Sequence, residues 1–181
     1  NPLRYGQEMR CGPMKNRILR LWCGVLIGGC AAIGQAPPRL REPPLSAVNL
    51  TSGFWADRPK TTREVVLPNQ PRELELAGFV DNFRRLSGSS GAPRKGARFS
   101  DGFVYRLIEA AAHSLILEPD PKLRKQLDGI VDAVVRAQDS DGYLNTYFQG
   151  PLAERRYTEE RRSHELLCTG QLIEAGLAYY E

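Results

Sequence analysis

The sequence predicts a mainly α fold, a row of amphipathic helices preceded by a short extended arm. From Phe99 onward, apolar residues recur at helical spacing in three successive segments. Cap and turn residues separate those segments, most clearly Glu118-Pro119-Asp120-Pro121. Before Phe99 the chain carries only brief β-branched pieces, Val48-Asn49-Leu50 and Val65-Val66-Leu67, which read as short strands or extended arms.

Taken in order, Ser100 or Asp101 is the expected cap of the first helix, and Val104, Leu107, Ile108, Ala111 and Leu115 mark its buried stripe. Asp120 is the N-cap of the second helix. Pro121 sits at its first position, where the missing N–H costs nothing. That helix runs to about Gln138 and buries Leu123, Leu127, Ile130, Val131 and Val134. A long loop follows through Asp141-Gly142 and an arginine-rich stretch. The third helix begins near Ser163, its expected N-cap, with an apolar side of Leu166, Gly170, Ile173, Leu177 and Tyr180. It is still running at Tyr179-Tyr180-Glu181, with no cap, glycine or proline to end it, so the sequence reads as the front of something longer. End-to-end helices of this kind suggest a helical array more than a finished bundle, and no short-period repeat is visible. In the stretch before, Gly53-Phe54-Trp55 reads as an apolar packing anchor and residues 87–96 as a flexible surface loop.

The first 36 residues have a different character. Met14 opens a basic, then apolar, then small-residue order: Lys15, Arg17 and Arg20, the run Leu21 to Ile33, and Ala31, Ala32 and Ala36. That is the order of a secretory signal peptide, and the run is short for a membrane span. Residues 1–13 read as upstream sequence ahead of the leader, and 37–45, with Pro37, Pro38, Pro43 and Pro44, as a proline-rich tether. Ile27-Gly28-Gly29-Cys30 also fits a lipoprotein processing box, with a lipid anchor at Cys30; cleavage near Ala36 is the alternative. The protein is expected to be exported, as a periplasmic, lipid-anchored or secreted species.

The chain has 25 basic and 21 acidic residues. Residues 1–36 hold five of the bases (Arg4, Arg10, Lys15, Arg17, Arg20) and one acid, Glu8, which leaves 20 of each sign in residues 37–181. The formal charge of +4 therefore belongs to the leader. A nucleic-acid partner is not expected, since such domains need a positive surplus. Cys11, Cys23 and Cys30 lie in or before the leader, leaving Cys168 alone, so no disulfide framework or cysteine metal site is predicted within 37–181.

The third helix is where chemistry is most legible. His164, Leu167, Cys168, Gln171 and Ala175 share a second face, with polar and soft atoms toward its start. A neutral imidazole at His164 both donates and accepts hydrogen bonds, which suits sugar hydroxyls; equally, it could simply cap the helix. His164-Glu165 does not continue into a zinc-protease motif, because Cys168 stands where the second histidine is needed. Glu109 and Glu174 are helix-interior acids, better read as solvated or ion-paired than as general acids. Asp139 and Asp141 beside Gly142 are turn formers.

Four motifs then occur in one order. They are Val48-Asn-Leu-Thr-Ser-Gly53-Phe54-Trp55-Ala56-Asp57-Arg58; Phe99-Ser-Asp101-Gly-Phe-Val104-Tyr105-Arg106-Leu-Ile-Glu109-Ala110; Ala137-Gln138 with Asp141-Gly142-Tyr143-Leu144-Asn145-Thr146-Tyr147-Phe148; and His164-Glu165-Leu-Leu-Cys168 with Gly170 and Glu174-Ala175. Together, over residues 46–181, they resemble the N-terminal part of glycoside hydrolase family 127, the β-L-arabinofuranosidase family. The resemblance implies an (α/α)6 barrel that is entered but not completed. It implies release of terminal β-L-arabinofuranose from plant-type glycans with retention of configuration. It also implies a zinc-held cysteine nucleophile and a glutamate acid/base, both expected beyond Glu181, so that these residues alone are expected to be inactive and to bind no zinc. By position, His164 matches the family's histidine at the sugar pocket, and Gln138, Tyr143 and Glu165 match motif positions assigned to substrate binding. The chain departs from the family pattern at Arg106-Leu107, where Lys-Trp is usual, at His113, where tyrosine is, and at Gln171, where a second histidine is. The competing readings are a non-catalytic carbohydrate-binding helical lipoprotein and another (α/α)-barrel sugar enzyme, such as a uronyl hydrolase or epimerase.

Overall fold

A computed structural model describes residues 40–181. The leader and the Cys30 processing box lie outside those residues. A 3-10 turn at Leu45–Ala47 is followed by α1 (Asp57–Thr61), a π turn (Thr62–Val66), α2 (Leu67–Leu76), α3 (Phe79–Leu86), α4 (Asp101–Leu117) and α5 (Pro121–Arg136). A second 3-10 turn (Ala153–Arg155), the short α6 (Glu160–Ser163) and α7 (Glu165–Tyr180) complete the order. The mainly α expectation holds, and among the described residues no helix is long and apolar enough to cross a membrane.

Of the two expected strand or extended pieces, only the first stays non-helical, and the described residues contain no strand. Val48 keeps extended dihedrals, but Val65 and Val66 lie in the π turn and Leu67 opens α2. Two causes outweigh the β-branched residues. Leu67, Pro71 and Leu74 repeat at helical spacing and are buried. Pro68 has no N–H for the carbonyl four residues back, and the wider π turn ends just before it.

Helix α4 is central and packs against α2, α3, α5 and, most extensively, α7. Its predicted stripe is buried at Val104, Leu107, Ile108 and Ala111, while Leu115 packs at the margin. Tyr105 adds a buried ring against Phe83 of α3, with centroids 5.8 Å apart. Helix α5 begins as the sequence predicts: the Asp120 carboxylate accepts from the N–H groups of Lys122 (2.8 Å) and Leu123 (3.1 Å). It ends at Arg136, two residues before the expected Gln138.

Three expectations change. Neither Ser100 nor Asp101 caps α4: Ser100 donates its hydroxyl to the Ala97 carbonyl (2.8 Å), and the buried Asp101 carboxylate turns to Thr146. The third predicted helix is broken by His164, whose left-handed backbone (φ 53, ψ 36) separates α6 from α7, so Ser163 is no N-cap. The face of α7 is also reversed. Glu165, Cys168, Ala175 and Ala178 are buried, whereas Leu166, Ile173, Leu177 and Tyr180 are 59%, 59%, 63% and 90% exposed. Small side chains on the inner face bring α7 close to α4, and that outweighs the larger but looser apolar stripe outside.

Candidate functional site

The start of α7 positions the site. The His164 N–H closes α6 onto the Glu160 carbonyl (3.1 Å), and the His164 carbonyl accepts from Cys168 N–H (2.9 Å). The Glu160 carboxylate accepts from Leu166 N–H at 3.1 and 3.3 Å, so the free N–H groups at the helix start are served by a glutamate and not by Ser163. His164 and Tyr157 (φ 60) are the non-glycine residues with positive φ among those described. A left-handed backbone at such a residue costs about 1–2 kcal/mol, so surrounding contacts must hold it.

The His164 imidazole meets the Phe99 ring edge-on, with centroids 5.3 Å apart. Both border a pocket of about 360 Å³ between α4 and α7. Phe99, Phe103, Leu167 and Cys168 give it an apolar floor; His164, Arg106 and Gln171 supply polar atoms. Phe103 is itself stacked on Phe79 at 5.6 Å, which braces the floor from behind. A small-molecule site has this form: apolar surface with a few convergent hydrogen-bonding groups. Gly102 leaves room for the Gln171 side chain, since a Cβ there would lie 2.3 Å from Gln171 Oε1.

Cys168 offers the pocket little reactivity. Its thiol is buried and donates weakly to the Phe99 carbonyl (3.7 Å); burial first, then the Asp101 charge, pushes it up to about 11. At neutral pH it is a thiol, not a thiolate nucleophile. Among the described residues, no three of His, Cys, Asp and Glu gather where a metal could sit, so these side chains do not fit a zinc centre.

The other predicted site residues form a separate hydrogen-bonded set beside the same helix start. Gln138 closes its loop by donating Nε2–H to the Gly142 carbonyl (2.7 Å). Tyr143 donates its hydroxyl to Glu165, and the other Glu165 oxygen accepts from Tyr157 N–H (2.9 Å). Glu165 is 1% exposed, and the pocket lining does not include it, Tyr143 or Gln138. Burial, then the Glu165 bond, raises the Tyr143 phenol well above its ordinary range and keeps it a donor. Arg156 lies 3.8 Å over the Tyr143 ring and pairs with Asp139 and with Asp141 (2.9 Å). The two turn aspartates thus do their expected work and also anchor this arginine. Glu109 pairs with Arg106 at the surface and Glu174 is exposed, as read from sequence.

Sequence reasoning missed the buried clamp beneath both sets. Asp101 accepts from Thr146 N–H (2.6 Å) and Thr146 Oγ1–H (2.5 Å), with the Arg94 guanidinium 4.0 Å away. Arg85 donates to the Thr146 carbonyl (3.0 Å) and Arg94 to Thr146 Oγ1 (3.2 Å). The available signal was a polar Asn145-Thr146 pair inside an otherwise aromatic loop.

Two measurements check this geometry. Gly102→Ala is expected to displace the Gln171 carboxamide, seen as a shift of its side-chain amide resonances. Unfolding free energy should change by under about 1 kcal/mol, because the gain in helix propensity offsets the movement of a flexible side chain. Burial raises the Asp101 carboxyl above its ordinary value. The folded state then holds that proton more tightly than the unfolded one, so Asp101 is best tolerated at low pH. From about pH 4 upward, the stability of the parent relative to Asp101→Asn should fall until the folded-state carboxyl has ionised. Denaturant titrations of both chains across that range read the slope; a rising difference contradicts the assignment.

The family model described as β-L-arabinofuranosidase, GH127 catalytic domain, matches residues 47–181. The non-reducing end β-L-arabinofuranosidase of Bifidobacterium longum subsp. longum is 35% identical over 157 residues, covering 74% of this chain and 24% of that protein. The crystal structure of a GH127 β-L-arabinofuranosidase from Geobacillus stearothermophilus superposes with a TM-score of 0.69 at 36% identity, over 73% of this chain and 22% of the other. A second GH127 β-arabinofuranosidase gives 0.67 at 34% identity, over 76% and 23%. The chain thus spans about a quarter of the length of the curated relative that it matches. With the ordered motifs, the helical fold and a family match over residues 47–181 in agreement, the chain belongs to glycoside hydrolase family 127.

Proposed function

We propose that the protein is a glycosidase of the β-L-arabinofuranosidase type, releasing terminal L-arabinofuranose from plant-type glycans with retention of configuration. Residues 46–181 are the first part of an (α/α)6 barrel in this reading, and they supply a sugar-binding wall. The observation that carries it is His164 at the edge of an aromatic-floored pocket between α4 and α7. Aromatic faces pack against the C–H side of a sugar ring, while imidazole, guanidinium and carboxamide groups meet its hydroxyls.

The division of labour follows from the side chains. Cys168 is held as a buried thiol, and both oxygens of Glu165 are occupied by Tyr143 and Tyr157. Neither is free to act as nucleophile or as acid/base. A cysteine nucleophile, a glutamate acid/base and zinc are what the family resemblance implies, and this reading gives none of those roles to Cys168 or Glu165.

For the 181-residue chain, L-arabinose should bind weakly, in the millimolar range, and His164→Ala should weaken it roughly 5–10-fold, the worth of one hydrogen bond. Calorimetry or ligand-observed NMR measures both. The same chain should not cleave an aryl β-L-arabinofuranoside; turnover by it would place the catalytic groups within these residues after all.

Export belongs to the same proposal, since a polysaccharide-trimming enzyme meets its substrate outside the cell. The leader opening at Met14 supplies the signal, and cleavage ahead of Cys30 leaves that cysteine to carry the lipid. Cell fractionation should find the parent with membranes and Cys30→Ser in the soluble fraction. An unchanged distribution would remove the anchor.

A further inference from the structure

The sugar pocket depends on where His164 holds its ring, and that ring is carried on a left-handed backbone, an uncommon conformation for any residue with a side chain. The left-handed Tyr157 and His164 flank α6, one turn of helix too short to fix either of them. One side chain touches both sides of this segment. Glu165 follows His164 directly in the chain, and its carboxylate reaches back to accept the Tyr157 N–H at 2.9 Å. Its second oxygen accepts the Tyr143 hydroxyl. Tyr143 is ordered in turn, since its ring lies under the Arg156 guanidinium and edge-on to the Tyr157 ring, with centroids 5.7 Å apart.

We propose that Glu165 is the positioning residue for His164: its buried carboxylate, bridged by Tyr143 Oη–H and Tyr157 N–H, locks both left-handed residues and so aims the imidazole at Phe99 and the pocket. A carboxylate this buried must keep its donors, because an unpaired charge cannot be left away from water. The bridge therefore holds one geometry, not several. Its functional weight rests on His164 being the sugar contact; its geometry does not.

His113 and His164 are the two histidines of the chain, which makes the imidazole signals easy to assign. Proton–carbon spectra of the full chain, recorded at one fixed pH for every variant, read the ring-current displacement that Phe99 imposes on His164. Phe99→Leu identifies that displacement. Glu165→Met keeps the length of the side chain and removes both acceptors, leaving Tyr157 N–H and the Tyr143 hydroxyl without the bridge. It should move the His164 signals most of the way to those of Phe99→Leu, leave His113 in place, and weaken L-arabinose binding as far as His164→Ala does. Tyr143→Phe, which keeps the charge and removes one donor, should move them part of the way. Tyr179→Phe removes the 2.9 Å bond to Asp128 at the far end of α7 and should leave them unmoved.

His164 signals in Glu165→Met identical to those of the parent overturn the proposal, as does an equal displacement in Tyr179→Phe. If Glu165→Met does not fold, Tyr143→Phe decides, and an unmoved His164 signal there overturns it. The expected shifts with no response of His164 to L-arabinose leave the positioning role standing and remove the sugar reading instead.

Discussion

Asp101 carries its carboxylate at 1% exposure, and among the described residues the groups that donate to it are the N–H and hydroxyl of Thr146. Leaving that carboxylate without partners would cost several kcal/mol, so helix α4 and the 139–149 loop cannot separate without a large loss. Much follows from this pairing. It sets the start of α4, which carries Phe99, Gly102 and Phe103 into the pocket. It also fixes Thr146, and with it the turn in which Asn145 accepts from Tyr147 N–H (3.0 Å) and Phe148 N–H (3.1 Å). The cations nearby serve the same joint: Arg85 and Arg94 both donate to Thr146, and Arg94 lies 5.1 Å from the Tyr147 ring. The aromatic motif of the loop is thus mostly interior structure, organised by a charge that sequence alone suggested was a helix cap.

Against this fixed joint, α7 is placed by size more than by hydrophobicity. Its inner positions are Cys168, Ala175 and Ala178, whose small side chains pack on the α4 side. Close approach of two backbones gains dispersion contacts along the whole helix pair. The larger apolar residues, Leu166, Ile173 and Leu177, are left facing outward. The break at His164 fits the same logic. A continuous helix would carry α6 straight on from α7, whereas the left-handed step frees Glu165 to turn inward while His164 stays at the surface beside Phe99.

The sequence was most informative where one physical signal acted alone. Asp120-Pro121 specified a helix start by cap and proline together, and the α4 and α5 stripes were read from spacing because each has a single apolar side. Two opposed signals defeated it elsewhere. Val65-Val66-Leu67 favours strand locally, but Leu67, Pro71 and Leu74 repay burial only as a helix. Both faces of α7 are apolar or small, so periodicity located the helix without choosing its buried side. Of the four residues assigned to substrate binding, His164 borders the pocket, while Gln138, Tyr143 and Glu165 lie in the neighbouring network. Adjacency in a motif carries no information about which way a side chain turns when the backbone between two neighbours is left-handed.

That network bears on how the pocket varies within the family. The apolar floor is locked on both sides, by the Phe79 stack behind Phe103 and by the His164 ring against Phe99. The polar groups are not equally fixed. Arg106 and Gln171 both border the pocket, and both stand where the resemblance implies other residues. Among the described residues Arg106 pairs with Glu109 at the surface, at 3.4 Å, a contact worth under about 1 kcal/mol, which a ligand can replace. A planar guanidinium offers a fork of donors where lysine offers a point charge, and a carboxamide offers both donor and acceptor without the proton exchange of imidazole. The third departure, His113, lies outside the pocket lining. Under the proposed sugar-binding role, the adjustable polar groups of this pocket are thus Arg106 and Gln171, beside His164 and over an aromatic floor that Phe79 and His164 brace.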